Sequence, residues 1–344
     1  LEIAAALVAA GHASHVVSAG GRLVSALEAA GSTHHALPIG AKSLATPLQV
    51  FALRRLLRAL KPDIVHARSR LPAWVGLGAL RGLSPRPRFI TTVHGLNSPG
   101  RYSGVMARGE AVICVSETVR DYVRSHWPEA GPRLVVIPRG VDPAAFPRQA
   151  RPDPAARAAV FAELALPDDA RLLLLPGRGT RLKGHADAIA LLAELRAQGL
   201  PAALWLLGTD EPGREAYLAE LRSLAAARGV GAWLRVSPPR SEVVPAYSAS
   251  DLVLQLSRKP EAFGRTVIEA LSVGVPVLGW NHGGVGEQLA ALQPEGAVPL
   301  GDAVALAARA RSLLDVPPLA PAHIPYTLAA MQQATLETYA RHAG

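Results

Sequence analysis

Two pairs of side chains in this sequence stand in patterns that suit chemistry. Arg178 and Lys183 lie in PGRGTRLKGH, residues 176–185, and Glu261 and Glu269 lie in PEAFGRTVIEAL, residues 260–271. An arginine offers a planar fork of donors and a lysine a point charge, so this cationic pair suits a diphosphate. Two carboxylates are poor phosphate ligands but good acceptors for sugar hydroxyls. Between them Phe263-Gly264 marks a turn, and Gly264 lets a ligand come close to the backbone. A helix is expected to start at Arg265, where the N–H groups of Arg265 and Thr266 would attract a phosphate. Glu269 then lies about one turn into that helix. Taken singly, each glutamate would more often be a solvated charge near a helix end, the first favouring the helix dipole. Thr266 is better read as a helix-start residue acting through its backbone than as a side-chain ligand. Gly283-Gly284 reads as a turn, and Glu287 either as a ligand or as the cap of the next helix.

These residues need a scaffold of short strands and longer helices. The apolar runs predict strands at His15–Ser18, Ile64–Ala67, Phe89–Val93, Ala111–Val115 and Leu134–Ile137 in the first half. In the second half they predict Leu172–Leu175, Ala203–Leu207, Trp233–Val236, Leu252–Leu256 and Val275–Gly279. Most are continuous apolar runs, the signature of parallel strands covered on both faces. Helical segments alternate with them, which gives two open α/β sheets. Both the Arg178–Lys183 segment and the Glu261 segment follow a strand, where such sheets bind ligands. The proline-rich stretch Pro143–Pro154 is the natural boundary, with one domain over 1–149 and the next from 150. The opening residues LEIAAALVAA already read as a helix, with no strand and glycine-rich turn before it. The expectation is that a natural first strand and loop precede residue 1.

With 344 residues, 49% of them hydrophobic and 18% charged, the chain is globular. The most apolar stretch, Leu71–Leu80, is too short to span a bilayer and contains Pro72. The single cysteine, Cys114, excludes an intrachain disulfide, fits a reducing compartment, and sits in the apolar run AVICV as an inert core residue. Residues 1–150 hold 18 Lys and Arg against 8 Asp and Glu, whereas the remainder holds 18 against 19. That asymmetry points the first half at an anionic partner: nucleic acid, phospholipid or a phosphorylated acceptor. No Asp-x-Asp and no Cys/His cluster with metal-ligand spacing occurs in the sequence, so no metal is expected.

In combination these motifs resemble the retaining GT-B enzymes of glycosyltransferase family 4. The resemblance rests on Glu261, Phe263-Gly264 and Glu269, and on Arg178 with Lys183-Gly184. It extends to HGL at 94–96, VSETVRDY at 115–122, IPRGVD at 137–142 and the glycines and glutamate at 283–287. The phrases HARSRLPAW, TTVHG and SRKPEAFGRTVIEAL look most like members associated with bacterial lipopolysaccharide core assembly. The resemblance implies two Rossmann-like domains with a cleft between them. The second, over 150–323, would bind the nucleotide-sugar, and a last helix within 324–344 would cross back to the first. It implies transfer of a sugar from a nucleotide-sugar, UDP-linked by default, to a glycan or lipid-linked acceptor, with no cofactor and no metal. It assigns His94, Arg178, Lys183 and Glu261 to catalysis. It assigns Arg178, Lys183, Glu261, Phe263, Gly264, Arg265, Thr266 and Glu269 to the donor, with Glu269 on the ribose. His94 follows a strand and would meet the donor sugar. His12, His15, His34, His35 and His126 have no such context and are expected at the surface.

Leu48–Lys61 reads as an amphipathic helix, with Leu53, Leu56, Leu57 and Leu60 at helical spacing and Arg54, Arg58 and Lys61 on another face. The leucines would cover the sheet. The cations would hold a cytoplasmic protein at the anionic inner face of the membrane. Two rival readings have different consequences. A basic nucleic-acid-binding protein would need aromatic residues among its arginines or a recognisable motif, and neither is present, so no nucleic acid is expected. A sugar-nucleotide epimerase of the same fold would act without an acceptor.

Overall fold

The computed structural model describes residues 1–43, 46–149 and 153–343. They form two compact α/β units, one of Leu1–Gly140 with Leu328–Gly344 and one of Val141–Thr327.

In the first unit α1 (Glu2–Ala9), β1 (His15–Ser18), α2 (Val24–Ala29), β2 (Thr33–Ala36), α3 (Gln49–Leu60), β3 (Ile64–Ala67), α4 (Arg70–Leu80), β4 (Arg88–Val93), β5 (Ala111–Cys114), α5 (Glu117–His126) and β6 (Leu134–Val136) follow one another. Strands β3-β4-β5-β6 form one parallel sheet in that order, and β1 and β2 pair separately, also in parallel. Phe89, Ile90, Val112 and Ile113 on the central strands are buried, as continuous apolar runs require. Strand β2 was not foreseen because its sequence, THHA, carries no apolar run. Its histidines are tied to β1 instead: His34 Nε2 lies 2.8 Å from the Ser18 hydroxyl, and His15 and His35 rings meet at 3.1 Å. His34 and His35 are therefore half-buried and not simply at the surface, whereas His12, His15 and His126 are exposed. Cys114 is fully buried, and burial pushes its thiol up to about 12, which makes it unreactive. In the VSETVRDY segment Ser116 is the N-cap of α5, its hydroxyl accepting from the Val119 N–H at 3.1 Å.

The second unit runs α6 (Pro154–Leu164), β7 (Arg171–Pro176), α7 (His185–Ala197), β8 (Ala202–Leu207), α8 (Glu215–Ala227), β9 (Leu234–Ser237), α9 (Val244–Ala249), β10 (Leu252–Gln255), α10 (Arg265–Val273), β11 (Val277–Trp280), α11 (Gly283–Leu292), β12 (Ala297–Val298) and α12 (Ala303–Asp315). Its six strands are parallel, in the order β12-β11-β10-β7-β8-β9. The chain thus builds outward from β7 to β9, returns, and builds outward again from β10 on the other side of β7. The reversal between β7 and β10 is the switch point at which doubly wound sheets open a crevice. Helices cover both faces. Leu192, Leu195 and Leu313 pack against one and Phe161, Tyr247 and Val267 against the other.

The final helix, α13 (Leu328–Ala340), belongs to the first unit. Met331 and Tyr339 join a core with Ile3, Ile90 and Ile113, and Gln332 Nε2 donates to the Glu2 carbonyl at 2.9 Å. The boundary expected at 149/150 lies partly outside the described residues, at 150–152. The chain before it already belongs with the second unit. Phe146 packs on that unit's core, the Gln149 N–H donates to the Val273 carbonyl at 3.0 Å, and the Ser272 hydroxyl donates to the Phe146 carbonyl at 2.8 Å. That unit runs on past residue 323 to Thr327, because Val141 N–H donates to the Tyr326 carbonyl at 2.9 Å and Val141 bridges Thr327.

Candidate active site

Arg178, Lys183 and Glu261 lie in the loops at the carboxyl end of the second sheet, and Glu269 follows within α10. Strand β7 delivers Arg178 two residues after it ends, and Lys183 closes a one-turn 3-10 helix, Arg181–Lys183. Gly184 follows with φ +75°, and a Cβ there would sit 1.9 Å from the Leu256 carbonyl oxygen. Only glycine allows the β7 loop to rest on the end of β10 in this way. As a result Lys183 and Glu261, 78 residues apart, form an ion pair at 2.5 Å. The Ser257 hydroxyl also donates to Glu261 Oε1, at 2.6 Å. Burial by itself would raise the Glu261 carboxyl. The Lys183 ammonium, the Ser257 hydroxyl and the nearby Arg178 charge outweigh it, so the group lies below the usual carboxylate range and is ionised at neutral pH.

Gly264, with φ +87°, ends the following loop and starts α10 at Arg265. Phe263 is buried and meets Tyr326 edge-on at 5.7 Å, so its ring anchors the loop instead of facing solvent. Gly283 and Gly284 are more than a turn. A Cβ on Gly284 would lie 2.6 Å from Phe263 Cα, and one on Gly283 would lie 2.8 Å from the Glu261 carbonyl oxygen. The start of α11 therefore presses directly against the loop that carries Glu261. Glu287 lies inside α11 and does not cap it. Its charge, after burial, helps raise the Tyr326 hydroxyl. His282 Nε2 donates to the Ser257 carbonyl at 2.7 Å, tying the same loop from the other side.

On α10 the first turn presents Arg265 and Thr266, and Glu269 follows one turn later. The buried Tyr247 donates its hydroxyl to Glu269 Oε2 at 3.0 Å, and Arg265 Nε approaches Oε1 at 3.4 Å. Burial first, then the Glu269 charge, hold the Tyr247 hydroxyl well above its ordinary range, so it remains a donor. Tyr247 and Ser257 were not singled out from sequence. Each orients one of the two carboxylates, and only the packing of α9 and the end of β10 shows it.

His94 belongs to the first unit, one residue beyond β4. Arg68 Nε donates to its Nε2 at 3.1 Å, which leaves the ring proton on Nδ1. Desolvation by the surrounding loops comes first and the Arg68 and Arg139 charges follow. Together they hold this imidazole down to about 3, so it is neutral at physiological pH although part of the residue meets solvent. The half-buried His66 bridges the Tyr339 hydroxyl at 2.6 Å and the Thr92 hydroxyl at 2.7 Å, which joins α13 to the strands that carry Arg68 and His94.

Two parallel α/β units, with the last helix returned to the first, make the architecture of the GT-B glycosyltransferases. The family model described as Glycosyltransferase Family 4 matches residues 1–145 and that described as Glycosyl transferases group 1 matches 156–327; the chain belongs to this family of glycosyltransferases. Its fold is that of a glycosyltransferase from Rickettsia africae ESF-5 (TM-score 0.86, 24% identity, covering 99% of this chain and 93% of that one). The Anabaena protein HepE, solved in complex with UDP and glucose, aligns with TM-score 0.80 at 20% identity over 98% of this chain and 94% of its own. Among curated proteins, a D-inositol 3-phosphate glycosyltransferase of Xylanimonas cellulosilytica is 33% identical over 53% of this chain and 43% of its own length. Another, from Catenulispora acidiphila, is 30% identical over 65% of this chain and 57% of its own. The chain thus spans about half the length of these curated relatives.

Proposed function

We propose that this chain transfers a sugar from a nucleotide-sugar, UDP-linked by preference, to a glycan or lipid-linked acceptor, with retention at the anomeric carbon. The observation that carries this reading is the convergence of Arg178, Lys183 and Glu261 at the β7/β10 switch point, beside the first turn of α10. Arg178, Lys183 and that helix start would bind the diphosphate and stabilise the charge that develops as it leaves. Glu261 would accept hydroxyl hydrogen bonds from the transferred sugar, and Glu269 from the ribose. The acceptor oxygen bonds to the anomeric carbon as the carbon–phosphate-oxygen bond breaks. The acceptor proton passes to the leaving phosphate on the same face, which preserves the configuration. His94, neutral with Nδ1–H as its donor, would hydrogen-bond the donor sugar.

The diphosphate on this reading needs no metal clamp, since two cationic side chains supply the charge. A thermal-shift screen of UDP-, ADP- and GDP-sugars, followed by product analysis with candidate acceptors, tests the function. We expect stabilisation by one donor and a product that keeps the donor's anomeric configuration. Transfer should survive EDTA; its abolition, with rescue by Mg²⁺ or Mn²⁺, would overturn metal independence. Isomerised or hydrolysed donor with no acceptor product would instead favour an epimerase.

The finer reading is a role in lipopolysaccharide or related cell-envelope glycan synthesis, on the cytoplasmic face of the membrane. No helix among the described residues is long and apolar enough to cross a membrane. The support is α3, whose Leu53 and Leu57 are buried while Arg55, Arg58 and Lys61 are exposed. Arg54 is not available for this role: its guanidinium caps the end of α4, donating to the Gly78 and Ala79 carbonyls at 2.8 and 3.1 Å. Salt-sensitive binding to anionic liposomes should therefore fall by about two orders of magnitude when Arg55, Arg58 and Lys61 become Ser. Unchanged binding in that variant would remove the membrane from the proposal.

A further inference from the structure

The first unit carries a groove of about 760 Å³, within the size range of small-molecule sites. Its lining comes from segments that follow the carboxyl ends of three strands. Lys42 lies in the loop after β2 and Val50 in the first turn of α3. Leu71, Trp74 and Val75 come from the first turns of α4, after β3, and Tyr102 from the loop after β4. That last loop also begins with His94. The groove therefore opens on the same edge of the sheet as His94, the edge at which α/β sheets take ligands.

The lining is mainly apolar, and among the described residues no acidic side chain contributes to it. Its wall is held in place by hydrogen bonds. Trp74 Nε1 donates to the Tyr102 carbonyl at 3.0 Å, Arg70 Nη1 donates to the Ser103 hydroxyl at 3.3 Å, and that hydroxyl donates to the Ser98 carbonyl at 2.8 Å. The Trp74 ring is thus fixed before any ligand arrives, which limits the ordering cost of binding. Positive charge surrounds the apolar surface. The Arg70 guanidinium lies 5.2 Å from the Tyr102 ring centre, the Arg108 guanidinium 5.0 Å from that of Trp74, and Lys42 stands exposed on the lining. Near Val50 in sequence, Leu48 and Phe51 are exposed apolar side chains, at 63% and 65%.

An apolar trough ringed by cations matches an anionic amphiphile. We infer that this groove binds the hydrocarbon segment of a phosphate-bearing acceptor, whose phosphate meets Lys42, Arg70 and Arg108. This rests on the transferase reading above and narrows it from any glycan or lipid-linked acceptor to a phosphorylated amphiphile. A neutral oligosaccharide can also stack on Trp74 and Tyr102, but it offers the cations no opposite charge.

Calorimetry on the full chain tests the assignment, with decyl phosphate below its micelle concentration, inorganic phosphate, a decyl glucoside and a linear maltooligosaccharide as separate probes. Decyl phosphate should bind one to one, at least about tenfold more tightly than inorganic phosphate or the glucoside, since both the chain and the charge contribute. Val50→Asp and Leu71→Asp, each at half-buried positions, should each weaken decyl phosphate at least about tenfold. Arg108→Ser with Lys42→Ser should weaken decyl phosphate while leaving the glucoside unchanged. Circular dichroism and thermal unfolding of the same samples report that each variant is folded, and nucleotide-sugar binding reports on the second unit. Undetectable decyl phosphate binding, binding unchanged in both Asp variants, or tighter binding of the oligosaccharide would each overturn the assignment. If decyl phosphate fails while sugar is still transferred to a water-soluble acceptor, the groove reading falls and the transferase reading stands. If no nucleotide-sugar binds, the transferase reading falls, and circular dichroism then reports folding while the alkyl-phosphate titrations still decide the groove.

Discussion

Replacing Lys183 with Ala should lower turnover by about 10²–10³-fold, the usual scale for losing one preorganised electrostatic contact to a developing charge. The structure sharpens the reason. Lys183 reaches from the β7 loop to Glu261, at 2.5 Å from the carboxylate and a quarter exposed. A diphosphate arriving there would share the ammonium with Glu261 or displace it, so the charge is already desolvated and aimed. The variant also leaves Glu261 with less compensation. In the intact protein the ion pair's stabilisation is present above the ordinary carboxylate range and is lost as pH falls through the lowered value of the folded state. Without Lys183 the burial effect gains weight, the Glu261 carboxyl rises, and its protonation reaches higher pH. Two measurements separate chemistry from folding: thermal unfolding of the variant, and kcat with saturating donor. A stable protein with near-normal kcat would remove Lys183 from the catalytic set.

Glu269→Ala should weaken binding of free UDP by about 10–100-fold, the loss expected for charge-assisted hydrogen bonds of about 1.5–3 kcal/mol. Glu261→Ala should leave UDP affinity within a few-fold, or raise it, because Lys183 is then released to the phosphates. It should instead lose discrimination among UDP-sugars. The two carboxylates are held differently. Tyr247 and Arg265 orient Glu269 on α10, whereas Lys183 and Ser257 hold Glu261 at the end of β10. Calorimetry with UDP and with UDP-sugars on both variants decides the matter, and equal loss of UDP affinity in both would refute the division of labour.

The local chemistry was legible in the sequence because short-range rules govern it. Ten strands followed from apolar runs that parallel, doubly covered strands require. The turn at Phe263-Gly264 and the helix after it followed from glycine's freedom and from the change of hydrophobic period. Strand β2 escaped because THHA is held by hydrogen bonds to β1 and carries no apolar signal. β12, with two residues, is too short to have one. Arg54, Arg58 and Lys61, expected to act alike, separate in three dimensions, since Arg54 reaches the end of α4, a neighbour that periodicity does not name.

Residue types and spacing therefore determined by themselves that this chain is α/β, where most of its strands lie, and which side chains are candidates for phosphate and sugar. Tertiary structure alone decided which of those side chains meet. Apolar runs do not encode strand order, and an order that followed the chain would have put β9 beside β10 and kept the Lys183 loop away from Glu261. The return of the chain after β9 places β10 against β7, and Gly184 allows their loops to touch. Pairing over 78 residues depends on how two loops rest on one sheet edge, and that is settled by packing the whole unit.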